Sequence, residues 1–421
     1  MKPLKEVIAL ALLGVLTLTG CSGKAVAGNG TGRDADGVLT AEGVSDDTIT
    51  LGLLTDMTGV YAAHGKSITQ AQQLWAQQTN RAGGICGRKI ELLVRDHGYD
   101  AQRAMTGYTE LEPKVLGFPQ FMGSPFVAAV RDRIDREDKV LVVPQAWSAS
   151  LLGGPYIRTV GTTYDIDAIN AVDYLIAEKR VTKGDKVGHV YFEGDFGENA
   201  VQGSTFAAKR AGLTIVEQKI KPVDGDMTSQ VTALKRAGVS AVLLSVSPRQ
   251  TASFVSLATA NGLRVPVMGA ASSFAPQLLT TTAGPSLVKD FYVTSSSLPI
   301  SAPAPGPERL SKAYAAAYPK DPVDNGASNG YQSALVFEAA LKKACTDKDL
   351  TRDGLSKALR SITAFNGGFG STHDFSDPAA PSTRQSMVLK PDKNVPGGLK
   401  VIRPAKVSEA ANTYAPAFAG H

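Results

Sequence analysis

From Ile49 onward the chain alternates short aliphatic or β-branched runs with helical stretches, and it does so in two successive blocks. ITLGLL reads as a strand, and the loop TDMTGVYAAHG leads into the helix SITQAQQLWAQQTNRAGG. In that helix Ile68, Ala71, Leu74, Trp75 and Gln78 mark one stripe, and Gly83-Gly84 stop it. KIELLVRD alternates like a strand, and Asp100 stands where it can cap the helix AQRAMTGYTELE. KVLGFPQFMG reads as a strand, and Ser124-Pro125 opens a helix, PFVAAVRDRIDRE, with proline at its first position. KVLVVP follows as a strand. After YIRTVGTTYD the pattern restarts with DAINAVDYLIAEKR and runs through KVGHVYFE, LTIVEQKI and SAVLLSV, each followed by a helix, to VPVMGA. Strands separated by helices return to the same sheet edge through right-handed crossovers, so parallel sheets are expected. Two such blocks predict an α/β protein of two similar lobes. Beyond Lys289 the order is less regular: DFYVTSSS runs into the Pro-rich SAPAPGPE, two more helices follow, and RQSMVLKP closes the chain.

Ahead of the first strand stands a different grammar. Lys2 and Lys5 precede an apolar run at residues 7–18, and Thr19-Gly20 follow it. This is the layout of a secretory signal; about a dozen apolar residues are too few to span a hydrocarbon core of ~30 Å. Leu18-Thr19-Gly20-Cys21 resembles the bacterial lipobox. On that reading residues 1–20 are removed, Cys21 is acylated through its sulfur, and several acyl chains anchor the protein where one would not. Residues 21–46, rich in Gly, Ala, Asp and Thr, read as a flexible linker. The folded body is therefore expected outside the cytoplasm, anchored to the outer face of the membrane or periplasmic.

Forty-four Lys and Arg against 39 Asp and Glu give a formal charge of +5. The signs are interspersed, and the densest cluster, RDRIDREDK, reads as a solvated helix face. No basic block suggests a nucleic-acid partner. No later apolar run reaches the ~18 residues of a membrane span. Of the three cysteines, Cys86 and Cys345 remain after Cys21. An even pair in an oxidising compartment suggests a disulfide, with two separately buried thiols as the other reading. Without CxxC spacing, and with the five histidines scattered, no metal or cofactor is expected. Gly326 to Gly330 matches G-x-S-x-G, but PKDPVDN before it cannot be the strand such a nucleophile elbow needs, so Ser328 is not expected to be catalytic. Gly28, Gly30 and Gly32 fall in the linker and make no dinucleotide fingerprint.

Four segments taken together, ITLGLLTDMTGVYAAHG, NRAGGICGRKIELLVRDHGYD, VYFEGDFGENAVQGSTFAAKRAG and MTSQVTALKRAG, resemble the periplasmic binding proteins of the branched-chain amino acid (Leu/Ile/Val) type. The resemblance covers about residues 49–400. It implies two Rossmann-like lobes joined by three crossover strands near residues 158–162, 293–298 and 367–373, the type I arrangement. Lobe I would take residues 47–160 and 297–368, lobe II residues 161–296 and 369–405, and residues 406–421 would be a loose tail. Cys86 and Cys345 would both fall in lobe I, which makes their pairing geometrically reasonable. The implied function is capture of a small solute in the interlobe cleft by a monomer, for delivery to an ABC permease and its ATPase.

In open α/β sheets the ligand crevice lies beyond the carboxyl ends of the strands, where helix starts favour an anion. Ser124 is a candidate there, though it also reads as a simple helix cap. The resemblance places ligand contacts at Tyr61 and His64 in the first strand–helix loop. Ala146, Trp147 and Ser148 follow the strand VLVVP; from lobe II come Phe196, where the family often carries an aromatic, and Ser247 after SAVLLSV. Amino-acid binders of this type have an acidic residue at the position that is Ala271 here. A desolvated ammonium without a partner costs several kcal/mol. Either Asp56 or Asp195 supplies that charge, or the ligand is an amide or carboxylate rather than an α-amino acid. A sensing receptor of the same fold is the main rival function, and a lipid-anchored hydrolase a weaker one for which catalytic residues are missing. Replacing Cys21 by Ala should release the protein from membranes; an unchanged membrane fraction would refute acylation.

Overall fold

The computed structural model describes residues 32–416. The signal segment and the proposed acylation site at Cys21 lie outside the described residues.

The first lobe begins with β1 (Gly32–Arg33) and β2 (Leu39–Thr40), then β3 (Thr48–Thr55), α1 (Ala62–Arg81), β4 (Lys89–Asp96), α2 (Ala101–Leu111), β5 (Gly117–Phe121), α3 (Ser124–Ala129) and β6 (Leu141–Val142). β3 to β6 form a parallel sheet of order β4-β3-β5-β6. β5 contains Pro119, which cannot donate to a ladder. The register against β3 shifts there, between the Leu51 and Leu53 pairings, and the Pro119 carbonyl accepts from Gln72 Nε2 at 2.9 Å instead.

The second lobe follows with α4 (Tyr164–Ala177), β7 (Lys186–Phe192), α5 (Asp195–Ala211), β8 (Thr214–Ile220), α6 (Thr228–Ala237), β9 (Ala241–Ser245), α7 (Pro248–Ala260), β10 (Val267–Gly269), α8 (Gly284–Asp290) and β11 (Phe291–Ser295). The chain then adds α9 (Pro305–Ala317), α10 (Asn325–Thr346), β12 (Asp349–Leu350) and α11 (Arg352–Arg360) to the first lobe. It ends with β13 (Ser386–Pro391), β14 (Leu399–Lys406) and α12 (Glu409–Thr413) on the second. That lobe's sheet has the order β14-β13-β11-β10-β9-β7-β8, parallel from β8 to β11 and antiparallel from β11 to β14. The expected architecture of two α/β lobes with parallel-type sheets is thus observed.

Three segments run side by side between the sheets. The Gly161 N–H donates to Ser382 Oγ at 2.9 Å, the Leu298 N–H to Phe369 O at 2.9 Å, and Ser371 Oγ to Ser296 O at 2.7 Å. α4 and α5 approach closely because residue 203 is glycine: a Cβ there would lie 2.0 Å from Asp165 O.

Three expectations need correction. Residues 32–46 are not a free linker: β2 pairs with β1 and with β12, Val38 is buried, and Arg88 forms a buried ion pair with Asp34. Backbone pairing and one charge pair leave no apolar periodicity to read. Nor are residues 406–416 a loose tail. Lys406 ends β14, Ser408 caps α12 by accepting from the Ala411 N–H at 3.1 Å, and the Tyr414 ring lies 4.8 Å from that of Phe206. RDRIDREDK is only partly a solvated face. α3 stops at Ala129, residues 133–138 wind as a π-turn, Ile134 is fully buried, and Arg131 donates to the Ser150 and Leu152 carbonyls at 2.8 Å each.

Cys86 and Cys345 form a disulfide, with Cα atoms 6.0 Å apart across 259 residues of sequence. It ties the turn before β4 to the end of α10. In the chain-entropy account so long a loop stabilises by up to about 5 kcal/mol. Thiol titration of the denatured, unreduced protein should detect neither cysteine, and Cys86→Ser should lower the unfolding free energy by about 2–5 kcal/mol. Two titratable thiols at these positions would reject the bond.

Candidate functional site

The loops after β3, β4, β5 and β6 face those after β7 and β10, and a cavity of about 20 Å³, room for about one water, lies between them. From the first lobe Tyr61, His64, Tyr99, Met122, Ser124, Gln145 and Trp147 line it, and the second lobe contributes Tyr164, Phe196 and Ser272.

The β3–α1 loop is built around Asp56. Its fully buried carboxylate accepts backbone N–H groups of Thr58, Gly59 and Tyr61 at 3.2, 2.5 and 2.9 Å. Gly65 allows α1 to sit on this loop, since a Cβ there would meet Asp56 O at 1.8 Å. The loop thereby sets Tyr61 and His64 at the cavity wall, both almost fully buried. His64 Nδ1 lies 3.5 Å from Asp324 Oδ2, an ion-pair distance too long for a hydrogen bond. Neither His64 nitrogen has a hydrogen-bond partner among the described residues. The Tyr61 hydroxyl has Ser272 near it across the cleft but no hydrogen bond of full geometry. Burial holds the Tyr61, Tyr99 and Tyr164 phenols far above their usual titration range, so each is a neutral hydroxyl.

The lobes touch through this wall. Ser124 Oγ donates to Tyr164 Oη at 3.2 Å, and the Tyr164 N–H donates to Trp147 O at 2.9 Å. Tyr61 and Met122 belong to the hydrophobic cluster of the second lobe. The Tyr164 and Phe196 rings pack at 4.5 Å, and Tyr61 and Tyr99 at 5.0 Å.

Of the residues read from the sequence, Tyr61, His64, Ser124, Trp147 and Phe196 meet in this cavity. Ala271 lines a neighbouring one with Ser272, Thr162, Ser296 and Asn329. The others are elsewhere. Ala146 is fully buried in the first-lobe core. Ser148 caps the short turn at Ala149–Leu151 by accepting from the Ser150 N–H at 3.3 Å. The Ser247 hydroxyl donates to Gln250 Oε1 at the start of α7. Asp56 is engaged by its own loop, and Asp195, at the first turn of α5, lines neither cavity; burial raises its carboxyl against the opposing Ser150 and Ser148 hydroxyls. The acid at the cleft is Asp167, lining the neighbouring cavity, which the sequence reading missed. Ser386 Oγ donates to it at 2.5 Å, and burial pushes its carboxyl up to about 6. Tyr99, Tyr164 and Gln145 were missed as well, although each follows a strand or crossover at the crevice edge. Ser328 lies in the first turns of α10, buried, with no strand leading into it.

Two α/β lobes with carboxyl-edge loops closing on a buried cavity define a solute-binding fold. A family model described as periplasmic binding protein matches residues 48–394, and the chain belongs to that family. The fatty acid ABC transporter substrate-binding protein from Thermomonospora curvata is 48% identical, with 92% of this chain and 99% of that chain covered at a TM-score of 0.90. A branched chain amino acid ABC transporter from Thermus thermophilus with bound valine is 20% identical over 88% of this chain and 99% of its own, with a TM-score of 0.77, a likeness of fold. The Leu/Ile/Val-binding protein homolog 3 of Brucella melitensis is 25% identical over 198 residues, 46% of this chain, and the chain spans about half, 53%, of that relative.

A carboxyl held near 6 when folded and near 3.8 when unfolded binds more protons in the native state between those values. Stability therefore falls as pH rises from about 4 to 6, by at most about 3 kcal/mol. Asp167→Asn should show a smaller fall in denaturant unfolding measured across the window, the remainder coming from Asp135, Asp165 and Asp195, whose carboxyls burial also raises. Parallel pH profiles for the two proteins would show that the carboxyl titrates normally.

Proposed function

We propose that the protein is an extracytoplasmic, lipid-anchored solute-binding protein that captures a monocarboxylate with an apolar body, of the fatty-acid class, and delivers it to an ABC permease with its ATPase subunits. The observation that carries this reading is the lining of the central cavity. It offers a buried Tyr61 hydroxyl, the His64 ring and the Ser124 hydroxyl, a largely aromatic wall with Gln145 and Ser272, and, among the described residues, no Asp, Glu, Lys or Arg. Buried polar atoms left unpaired cost about 1–3 kcal/mol each, and a carboxylate supplies the acceptor that the Tyr61 phenol and the protonated His64 nitrogen lack, whereas Ser124 already donates to Tyr164. An α-amino acid would bring an ammonium as well, and that cavity holds no carboxylate to receive it. Ala271 fits the same chemistry.

The 48% identical relative described as a fatty acid substrate-binding protein supports this choice. A Leu/Ile/Val-type ligand remains the second reading because Asp167 lines the neighbouring cavity, although Ser386 already donates to its carboxylate. On either reading no bond is made or broken. The protein acts as a monomer, and a tether at Cys21 raises its effective concentration at the permease. A sensing receptor would need the same ligand but a signalling partner.

Thermal unfolding with added octanoate, hexadecanoate, leucine, isoleucine or valine decides between the solutes. The fatty acids should stabilise, by about 2.7 kcal/mol at a hundred times Kd, and the amino acids should not. Stabilisation by the amino acids alone would overturn the fatty-acid reading.

A further inference from the structure

Two buried groups with unmet hydrogen bonds face each other at the central cavity. His64, in the first turn of α1, and Asp324, just before α10, have side chains only 4% and 2% exposed. Asp324 Oδ1 accepts from the Gly326 N–H at 2.8 Å and so caps α10. Its other oxygen, Oδ2, has no hydrogen-bond donor among the described residues and lies 3.5 Å from His64 Nδ1. His64 Nε2 is likewise without a partner among the described residues, and the ring lines the cavity. Two glycines permit this approach. A Cβ at Gly326 would stand 2.9 Å from His64 O and 3.0 Å from its Nδ1, and one at Gly330 would meet Ile68 O at 2.6 Å. The G-x-S-x-G spacing, which makes no nucleophile elbow, thus packs α10 on α1 and brings a carboxylate to the imidazole.

Imidazole carries one N–H when neutral and two when protonated. A neutral ring that donates from Nδ1 to Asp324 presents a lone pair at Nε2, which repels a ligand carboxylate. A neutral ring that donates from Nε2 aims its Nδ1 lone pair at Asp324 and leaves Oδ2 unpaired. Only the imidazolium serves both acceptors. The other charged and titratable groups around His64 are engaged or neutral. Asp56 is taken by its own loop. Beyond β4, Asp96 accepts from the Met57 N–H and the Thr58 hydroxyl at 2.9 and 2.8 Å; His97 Nδ1 accepts from the Tyr99 N–H at 3.1 Å, and burial lowers its pKa. Ahead of α10, Asp321 accepts from Lys66 and Gln70 at 2.7 and 2.6 Å, and the Tyr314 hydroxyl of α9 donates to Gln70. From the second lobe no charged side chain among the described residues lines the cavity.

We infer that His64 receives the ligand carboxylate as an imidazolium held by Asp324, so that binding takes up as much as one proton per ligand. This rests on the monocarboxylate reading of the central site. The proton comes from solvent, adds to the imidazole and leaves when the ligand does. The lobes are in contact across the cleft, so a solute reaches the ring as they part. Because the complex holds more protons than the free protein, affinity falls as pH rises, by up to about tenfold per unit. An uncharged solute gains nothing from the pair, which therefore selects for a carboxylate.

Calorimetric titration of octanoate into the protein at pH 8, in phosphate and in Tris, reads proton uptake from the different ionisation heats of the two buffers. The wild type should take up protons, and its affinity should fall between pH 7 and pH 9. His64→Gln should take up none, bind octanoate roughly 10- to 100-fold more weakly at pH 6.5, and show a flat profile. A second readout needs no variant: in the octanoate complex at pH 8, the histidine ring with nuclear Overhauser contacts to the ligand should show the carbon and proton shifts of an imidazolium. If octanoate binds without proton uptake, if the uptake is unchanged in His64→Gln, or if the contacting ring is neutral, the proton link is overturned and monocarboxylate binding stands. If neither octanoate nor hexadecanoate binds the wild type, both fall.

Discussion

Every strand of a parallel sheet delivers its loop to the same edge, and in this protein the two such edges face each other. That single constraint puts the β3–α1, β5–α3 and β7–α5 loops within reach of one small volume. It also makes closure and binding one event. Tyr61 and Met122, carried by first-lobe loops, are buried in the second lobe's hydrophobic cluster, and Ser124 reaches Tyr164 across the gap. The apolar surface that closes the lobes is the same surface that walls the ligand, so a solute filling the cavity is also part of the interface that holds the lobes together.

Hydrogen-bond satisfaction separates scaffold from site. Asp56 looks like a cleft acid in the sequence, yet its carboxylate is engaged by three backbone N–H groups and acts as the template of its loop. His189, buried in a strand, is paired at both nitrogens. By contrast His64 and Tyr61 are almost fully buried but, among the described residues, are left with unmet hydrogen-bonding capacity at the cavity. In a folded protein such groups are rare enough that each needs a reason, and a ligand supplies one.

The fold was legible because the strand–helix alternation is strong and because its turns are marked by Gly, Pro and capping Asp. The lining of the cavity was legible in part. Tyr61, His64 and Phe196 could be placed through the resemblance to the binding-protein family, and Ser124 and Trp147 because each follows a strand whose end must face the crevice. Ala146, Ser148 and Ser247 obey the same rule and still turn away, since direction at a loop is decided by one or two dihedrals that no periodicity encodes. Tyr164 and Asp167 were missed for a related reason. They sit in the first turn of a helix reached through a crossover, and only the packing of one lobe on the other reveals that this turn faces the cleft. The hairpin of residues 32–40 was unreadable because it is held by backbone pairing and the Arg88–Asp34 contact, without an apolar stripe.

Selectivity in such a cleft comes as much from what is absent as from what is present. A hydrophobic wall discriminates weakly between similar apolar bodies, by about 1–3 kcal/mol per methylene. A charged group without a counter-charge is rejected far more strongly, because the loss of hydration is uncompensated in the closed site. Among the described residues the central cavity is lined by the Tyr61 phenol and the His64 ring and by no acid to greet an ammonium. The neighbouring cavity, where Ala271 stands, does hold an acid, Asp167, whose carboxylate already accepts from Ser386. An ammonium in the central cavity would therefore lose its hydration without gaining a counter-charge, since the Asp56 carboxylate is engaged by its own loop.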